Sequence, residues 1–348
     1  VAPRRHQLAE LSVCSGVSLA VLVGDVPVNN VARVLRSSAS VLEEDIQAAC
    51  RRAEDALEDL KLLLAWYPQE AIRTSEAADY ARRAVATGSF AKGVAAQTAE
   101  RLRDLLDLDD EEPVGDIAEL IENLGAAVIF EPLPEPIQGV TVRDLSQDSW
   151  QAVVLVNSTT WWGRQRYTLA HELCHILYRD SHGVFVNRKD DEDMDDAEIR
   201  AESFARHFLA PDLAVREFWS EHAPRGVYDT YGVALAKFMM HFGLSRRASV
   251  RTLVEVADVP EEAMGPYTRT GARIETIMRE AGLEEQWNRE CATQHARGAS
   301  NWCLSMALDA YRQSLVGVPT VARVLGRSTE LVEVERELCE QGYRPTPR

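Results

Sequence analysis

His171-Glu172-Leu173-Cys174-His175 sets two imidazoles four residues apart, with a carboxylate next to the first. A helix turns about 100° per residue, so positions four apart face the same way. Two imidazoles so placed can grip one metal ion, and the adjacent Glu can reach a water bound there. The chain holds only 8 His in 348 residues, which makes this spacing a specific signal. Two imidazoles on a buried face without a partner would cost stability.

A hydrolytic zinc takes three protein ligands and keeps a position open for water. His171 and His175 would supply two. A metzincin-type third ligand would stand six residues after the second His, where the chain has Ser181. Tyr178 stands where that motif needs Gly, and His182 is off by one, so the scheme fails. The better source is Glu198-Ile199-Arg200-Ala201-Glu202, whose two carboxylates share a helical face. One can bind metal while the other holds a ligand His or faces solvent, and the spacing favours neither. Such a metal brings the pKa of its water to around 7. Glu172 then takes the proton and delivers it to the leaving amine. His207, Tyr178, Tyr167 and His182 are the candidates for stabilising the transition state. Cys174 reads as core packing, with metal competition or oxidation as the sharper alternative. The run Asp190-Asp191-Glu192-Asp193-Met194-Asp195-Asp196 reads as a solvated loop.

Several elements must position these groups. No helix breaker falls between Gln165 and Arg179, and Leu169, Leu173, Ile176 and Leu177 give that stretch a face to bury. The Glu198 segment is helical by pattern, with Ile199, Phe204, Phe208 and Leu209 as its buried side. Ala201 and Ala205 there are small enough to let another helix approach. Ala126–Phe130, Gly139–Val142 and Ala152–Val156 are β-branched runs that predict a small three-stranded sheet. Val114–Leu124 reads as a helix closed by Gly125. Glu43–Tyr67 reads as a long helix, with Ile46, Ala49, Ala53, Leu57, Leu60 and Leu64 on one stripe and Pro68 at its end. The expected order is a helical region over 1–62, a helical connector over 63–108, the α+β catalytic domain over 109–258 and a helical domain over 259–348. An acidic linker at Asp109–Pro113 marks the first main boundary. One turn-and-helix pattern occurs twice, as Leu22-Val23-Gly24 before Val31-Ala32-Arg33-Val34-Leu35 and as Leu315-Val316-Gly317 before Val321-Ala322-Arg323-Val324-Leu325.

A net charge of −17 opposes a generic phosphate-binding surface, so the field as a whole repels nucleic acid. Six cysteines without a C-x-x-C pair read as reduced thiols rather than a disulfide frame. No apolar run reaches transmembrane length. The stretch Leu11–Gly24 follows Arg4-Arg5 but is succeeded by Asp25 and no A-x-A site. These features together predict a cytoplasmic protein with no membrane partner.

Taken in order, Ile117-Ala118-Glu119-Leu120, Leu124-Gly125, Val154-Leu155-Val156-Asn157, Arg164–Ala170, His171–His175, the Glu198 segment, Leu209-Ala210-Pro211 and Phe242-Gly243-Leu244-Ser245 make one pattern. Over Leu106–Asp258 the chain resembles the ImmA/IrrE family of metallopeptidases. The resemblance implies a mainly helical α+β fold with a zincin-like core, flanked by helical regions. It implies one zinc per chain, with manganese an alternative, held by His171, His175 and Glu198, and Glu172 as the base. Glu202 stands where the family usually has Asn, and Cys174 where it usually has Gly. Both departures leave the ligands intact and bear on their support. The implied activity is cleavage of a protein partner, a helix-turn-helix transcriptional repressor, in a stress or mobile-element response. Residues 7–46 look like a degenerate helix-turn-helix unit or an equivalent helical cap, which leaves direct DNA contact open. The alternative is a metal- or stress-responsive DNA-binding regulator, or an interaction scaffold, that uses the peptidase fold as a sensor. A sensor has no need of Glu172.

Overall fold

The computed structural model describes residues 40–71, 92–109, 112–135, 137–144, 151–178, 184–188, 196–225, 230–268, 273–296 and 301–345. The readings on residues 1–39, including the helix-turn-helix unit and the first copy of the repeat, lie outside these. So do Ser181, His182 and most of the acidic run at 190–196.

At the centre is a sheet of four strands, β1 (Ala127–Glu131), β2 (Ile137–Arg143), β3 (Ala152–Asn157) and β4 (Val184–Arg188), in the order β1-β3-β2-β4. β1 pairs with β3 in parallel, Val128 opposite Val154, while β2 runs antiparallel to both β3 and β4. The three strands expected from the sequence are present, and β4 adds to the outer edge of β2.

Successive side chains on a strand point to opposite faces, and here both faces are covered. Val128, Phe130, Val154 and Val156 face one core, while Ala127, Ile129, Val153 and Leu155 face another. This is why β1 and β3 read as unbroken apolar runs rather than alternating ones. The first core holds α2 (Lys92–Leu105), α3 (Ile117–Asn123), α4 (Trp162–Tyr178), α5 (Asp196–Leu209) and α6 (Asp212–His222). It continues through α7 (Tyr231–Phe242), α8 (Arg246–Val256), α9 (Glu261–Thr268), α10 (Ile274–Glu280) and α11 (Glu284–Ala296). The second core holds α1 (Ser40–Trp66) together with α12 (Asn301–Arg312), α13 (Val318–Val324) and α14 (Leu331–Glu340). The first and last described helices therefore share the far face of the sheet. None of the described helices is long and apolar enough to cross a membrane.

Local chemistry sets the element ends. α3 begins three residues later than the pattern suggested, because the Asp116 side chain caps the amides of Ala118 and Glu119. Gly125 follows it at φ 101°, a conformation that disfavours any residue with a Cβ. In the second copy of the repeat, α13 is followed by Gly326 at φ 67°. A Cβ at Gly326 would collide with the main-chain carbonyl of Phe130 on β1. Ser328, two residues on, donates to the Glu131 carboxylate at 2.8 Å, and Arg323 pairs with Asp59 of α1 at 2.6 Å. The repeat unit is thus fastened both to the sheet and to α1. Gly326→Ala is expected to destabilise the fold by about 2–4 kcal/mol, through backbone strain plus displacement of β1. A denaturation midpoint equal to wild type would contradict that contact.

Candidate metal centre

α4 is fixed at its start by polar ties rather than by a simple cap. Gln165 donates through Nε2 to the carbonyls of Asn157 (3.1 Å) and Thr160 (3.0 Å). Asn157, at the end of β3, donates in turn to the carbonyls of Leu133 (3.0 Å) and Ile137 (2.8 Å). Arg164 donates to Gln138 at 2.6 Å, and Arg166 donates to the carbonyls of Val114 and Gly115 ahead of α3. Leu169, Leu173, Ile176 and Leu177 are buried as the pattern demanded, and Cys174 lies with them in the core. These anchors explain why Asn157 and the Arg164–Arg166 run belong to the motif although none of them reaches the metal ligands.

α5 lies between α2 and α4, and Ala201 and Ala205 are fully buried at the crossing. Its end is tied by Arg103 of α2, which donates to the Phe208 carbonyl at 2.9 Å and to the carbonyls of Asp109 and Glu112. Ile199, expected on the buried side, instead lines an open groove of about 410 Å³ with Glu202, Ser203, His207 and Arg251. The buried apolar side of α5 is carried by Phe204, Phe208 and Leu209 with the small Ala201 and Ala205.

The two helices bring His171, His175 and Glu198 together. The Nε2 atoms of the two histidines are 3.2 Å apart. Glu198 places Oε2 at 3.1 Å from His171 Nε2 and Oε1 at 3.3 Å from His175 Nε2. All three ligand atoms lie within 4.8 Å of one another, and no other such cluster occurs among the described residues. A tetrahedral zinc with bonds of about 2.0–2.1 Å holds its ligand atoms about 3.3 Å apart. The donor set and its spacing therefore fit a divalent metal. Both imidazoles are buried, whereas the Glu198 side chain is 31% exposed, so the centre opens on that side. Burial pushes the Glu198 carboxyl up, but its contacts with His171 and His175 outweigh this and hold it below the usual carboxylate range.

Glu172 is fully buried, and neither carboxylate oxygen has a well-aligned hydrogen bond. Burial raises its pKa, against the pull of His175, His171 and the Thr141 hydroxyl. β2 passes over it: a Cβ on Gly139 would lie 2.7 Å from Thr168 Cγ2 and 3.5 Å from Glu172 Oε1. Gly139 and Thr141 alternate with Val140 and Val142, which point into the far core. Small and polar residues thus face the carboxylate exactly where the strand passes it. The sequence reading missed both. A glycine inside a β-branched run was the available signal for such a close approach.

Glu202 does not join the three ligands. Its Oε1 lies 3.9 Å from His171 Nδ1, while Oε2 accepts from Tyr167 (2.9 Å) and Arg251 (3.3 Å). Burial, and next the Glu202 charge, push the Tyr167 phenol well above its usual pKa, so it acts as a donor to that carboxylate. The other candidates point elsewhere. Tyr178 hydrogen-bonds Thr98 of α2 at 2.7 Å, with Arg200 stacked 4.4 Å over its ring. His207 meets the Ser203 carbonyl through Nδ1 at 2.7 Å and faces Asp212 at 3.8 Å, and burial lowers its pKa. The structure does not bring Tyr178 or His207 to the three ligands.

With this geometry in place, residues 121–253 match the family model Peptidase_M78, the IrrE N-terminal-like domain. Over these residues the chain is similar to an IrrE N-terminal-like domain. The match falls inside the Leu106–Asp258 span that the motifs marked and covers well under half of the 348 residues. The domain runs from α3 to α8, so it holds the sheet and both ligand helices, and its family is one of metallopeptidases. The turn Phe242-Gly243-Leu244-Ser245 closes the domain: Gly243 ends α7 at φ 62°, and Ser245 caps α8 at the Ala248 amide. No curated protein matches the chain.

Proposed function

We propose that the protein is a zinc-dependent endopeptidase whose substrate is a protein partner, a helix-turn-helix transcriptional repressor, cleaved in a stress or mobile-element response. The observation that carries the enzymatic part is the convergence of His171, His175 and Glu198 at tetrahedral-edge spacing beside a buried Glu172. Bound there, zinc would polarise the scissile carbonyl and make water acidic enough to attack at neutral pH. Glu172 takes the proton from the attacking water and hands it to the leaving amine nitrogen. Its raised pKa suits a group that must both accept and return a proton. Glu198, partly exposed on the open side, marks where the peptide would approach. A sensor would bind metal without needing a carboxylate in this position, which favours the enzyme over the regulator. The net charge of −17 favours a protein partner over DNA.

The test is incubation of the zinc-loaded protein with purified helix-turn-helix repressors, read by mass spectrometry of the fragments. Cleavage at a defined bond by wild type, and none by Glu172→Gln, supports the proposal. Tight binding without cleavage would move the protein to the sensor reading.

A further inference from the structure

We propose that Tyr167, Glu202 and Arg251 form a clamp that positions His171, with Glu202 accepting the hydrogen on His171 Nδ1 when Nε2 faces the metal. This rests on the metal reading above and extends it to residues outside the ligand set. An imidazole that gives one nitrogen to a metal carries its hydrogen on the other, and that hydrogen needs an acceptor. His171 is 1% exposed, so water does not supply one, and its Nδ1 has no hydrogen-bond partner. The carboxylate that faces it is Glu202, with Oε1 at 3.9 Å. A shift of about 1 Å would bring this to hydrogen-bond length.

The rest of the clamp explains why Glu202 faces that way. Tyr167 lies four residues before His171 on α4, and Glu202 lies four residues after Glu198 on α5. The two helices thus make successive rungs: His171 against Glu198, and Tyr167 against Glu202. The Tyr167 hydroxyl also lies within reach of the Glu202 main-chain carbonyl at 3.2 Å, so it senses both the backbone and the side chain of α5. Arg251 approaches from α8, and its Nε is itself held by Glu255 at 3.1 Å. Two donors occupy Oε2, which leaves Oε1 turned toward the imidazole. An amide at position 202 would present only one oxygen and could not serve both sides. Arg251 is a positioning residue that acts through Glu202, which links the seating of α8 to the metal ligands.

The experiment measures zinc affinity by chelator competition on the full chain. The variants are Glu202→Gln, Tyr167→Phe, Arg251→Met and the double Glu202→Gln/Arg251→Met. Melting of each metal-free protein serves as the check on folding. Glu202→Gln is expected to weaken zinc about 10- to 100-fold, and Tyr167→Phe and Arg251→Met by smaller factors. The double variant should be no weaker than Glu202→Gln alone, because Arg251 acts only through that carboxylate. The absorption bands of the cobalt-loaded protein, which report ligand geometry, should shift in Glu202→Gln. Wild-type affinity and an unchanged cobalt spectrum in Glu202→Gln would overturn the clamp while leaving the three-ligand site standing. Additive losses in the double variant would also overturn it. A wild type that binds neither metal would instead overturn the metal reading itself.

Discussion

Glu172→Gln is expected to lower peptide cleavage by about 10²- to 10⁴-fold or more, while leaving metal uptake intact. The amide keeps the shape of the side chain but cannot accept a proton, and Glu172 is not one of the converging ligand atoms. The same substitution should stabilise the metal-free protein. Burial raises the Glu172 pKa above the usual value of 4.5, so the folded state binds a proton more tightly than the unfolded state does. Stability from this group is complete below pH 4.5 and declines as pH rises through the raised folded value. Above pH 4.5 the fold therefore loses stability by keeping this buried carboxyl, which has no well-aligned hydrogen bond, at a cost of about 1–3 kcal/mol. Melting of the metal-free variant should exceed that of wild type at pH 7, and the two should converge near pH 4. A lower melting temperature at pH 7 would mean that Glu172 is better partnered than its surroundings indicate.

Glu198→Ala should behave in the opposite way. It removes one of three ligands, so zinc affinity should fall by more than the roughly 100-fold associated with loss of an outer partner. It should also destabilise the metal-free protein at neutral pH. The Glu198 pKa is held below its usual 4.5, so its contribution is present above that value and is lost as pH falls below it. The gap between wild type and Glu198→Ala should be widest near neutrality and shrink in acid, read by thermal melting across pH. Neighbouring carboxylates on neighbouring helices thus carry opposite pH signatures, one paired with two imidazoles and one buried without a well-aligned hydrogen bond. If the metal-free Glu198→Ala protein melts like wild type at every pH, the contact with the two histidines contributes nothing to the fold.

The convergence of His171, His175 and Glu198 was legible because helical geometry makes spacing equivalent to position. Four residues put His171 above His175, and the pattern around Glu198 predicted a helix that could face them. The choice of Glu198 over Glu202 was not legible in the spacing, since both share a face of α5, and the resemblance supplied it. What separates them is the stagger of α5 against α4, a tertiary quantity. Ile199 shows the same limit: its apolar character predicted burial, yet the crossing turned it toward the groove. Tyr178 looked available for chemistry because nothing in the local sequence shows that Thr98, 80 residues earlier, takes its hydroxyl. Arg251 carries no motif at all and becomes significant only because α8 returns to Glu202.

The sheet was read from its β-branched runs, and those runs carried a further message. Strands without alternation are covered on both faces, which calls for a helical layer on each side. The second layer comes from α1 and α12–α14, which the chain separates by well over 200 residues. Nothing local joins them. The repeat at Leu315–Leu325 gave a hint, and Gly326 against Phe130 shows how that unit is fastened to the sheet. β4 escaped notice because its five residues lie between α4 and a dense acidic run, where the charge dominates the pattern.

The most direct measurement is the metal content of the purified protein by elemental analysis, before and after dialysis against zinc, with His171→Ala, Glu198→Ala and Glu202→Ala beside it. The account predicts about one zinc per wild-type chain, lost in His171→Ala and Glu198→Ala and retained in Glu202→Ala at saturating metal. A folded wild type that takes up no metal even after dialysis, or a Glu198→Ala variant that keeps its full complement, would contradict it.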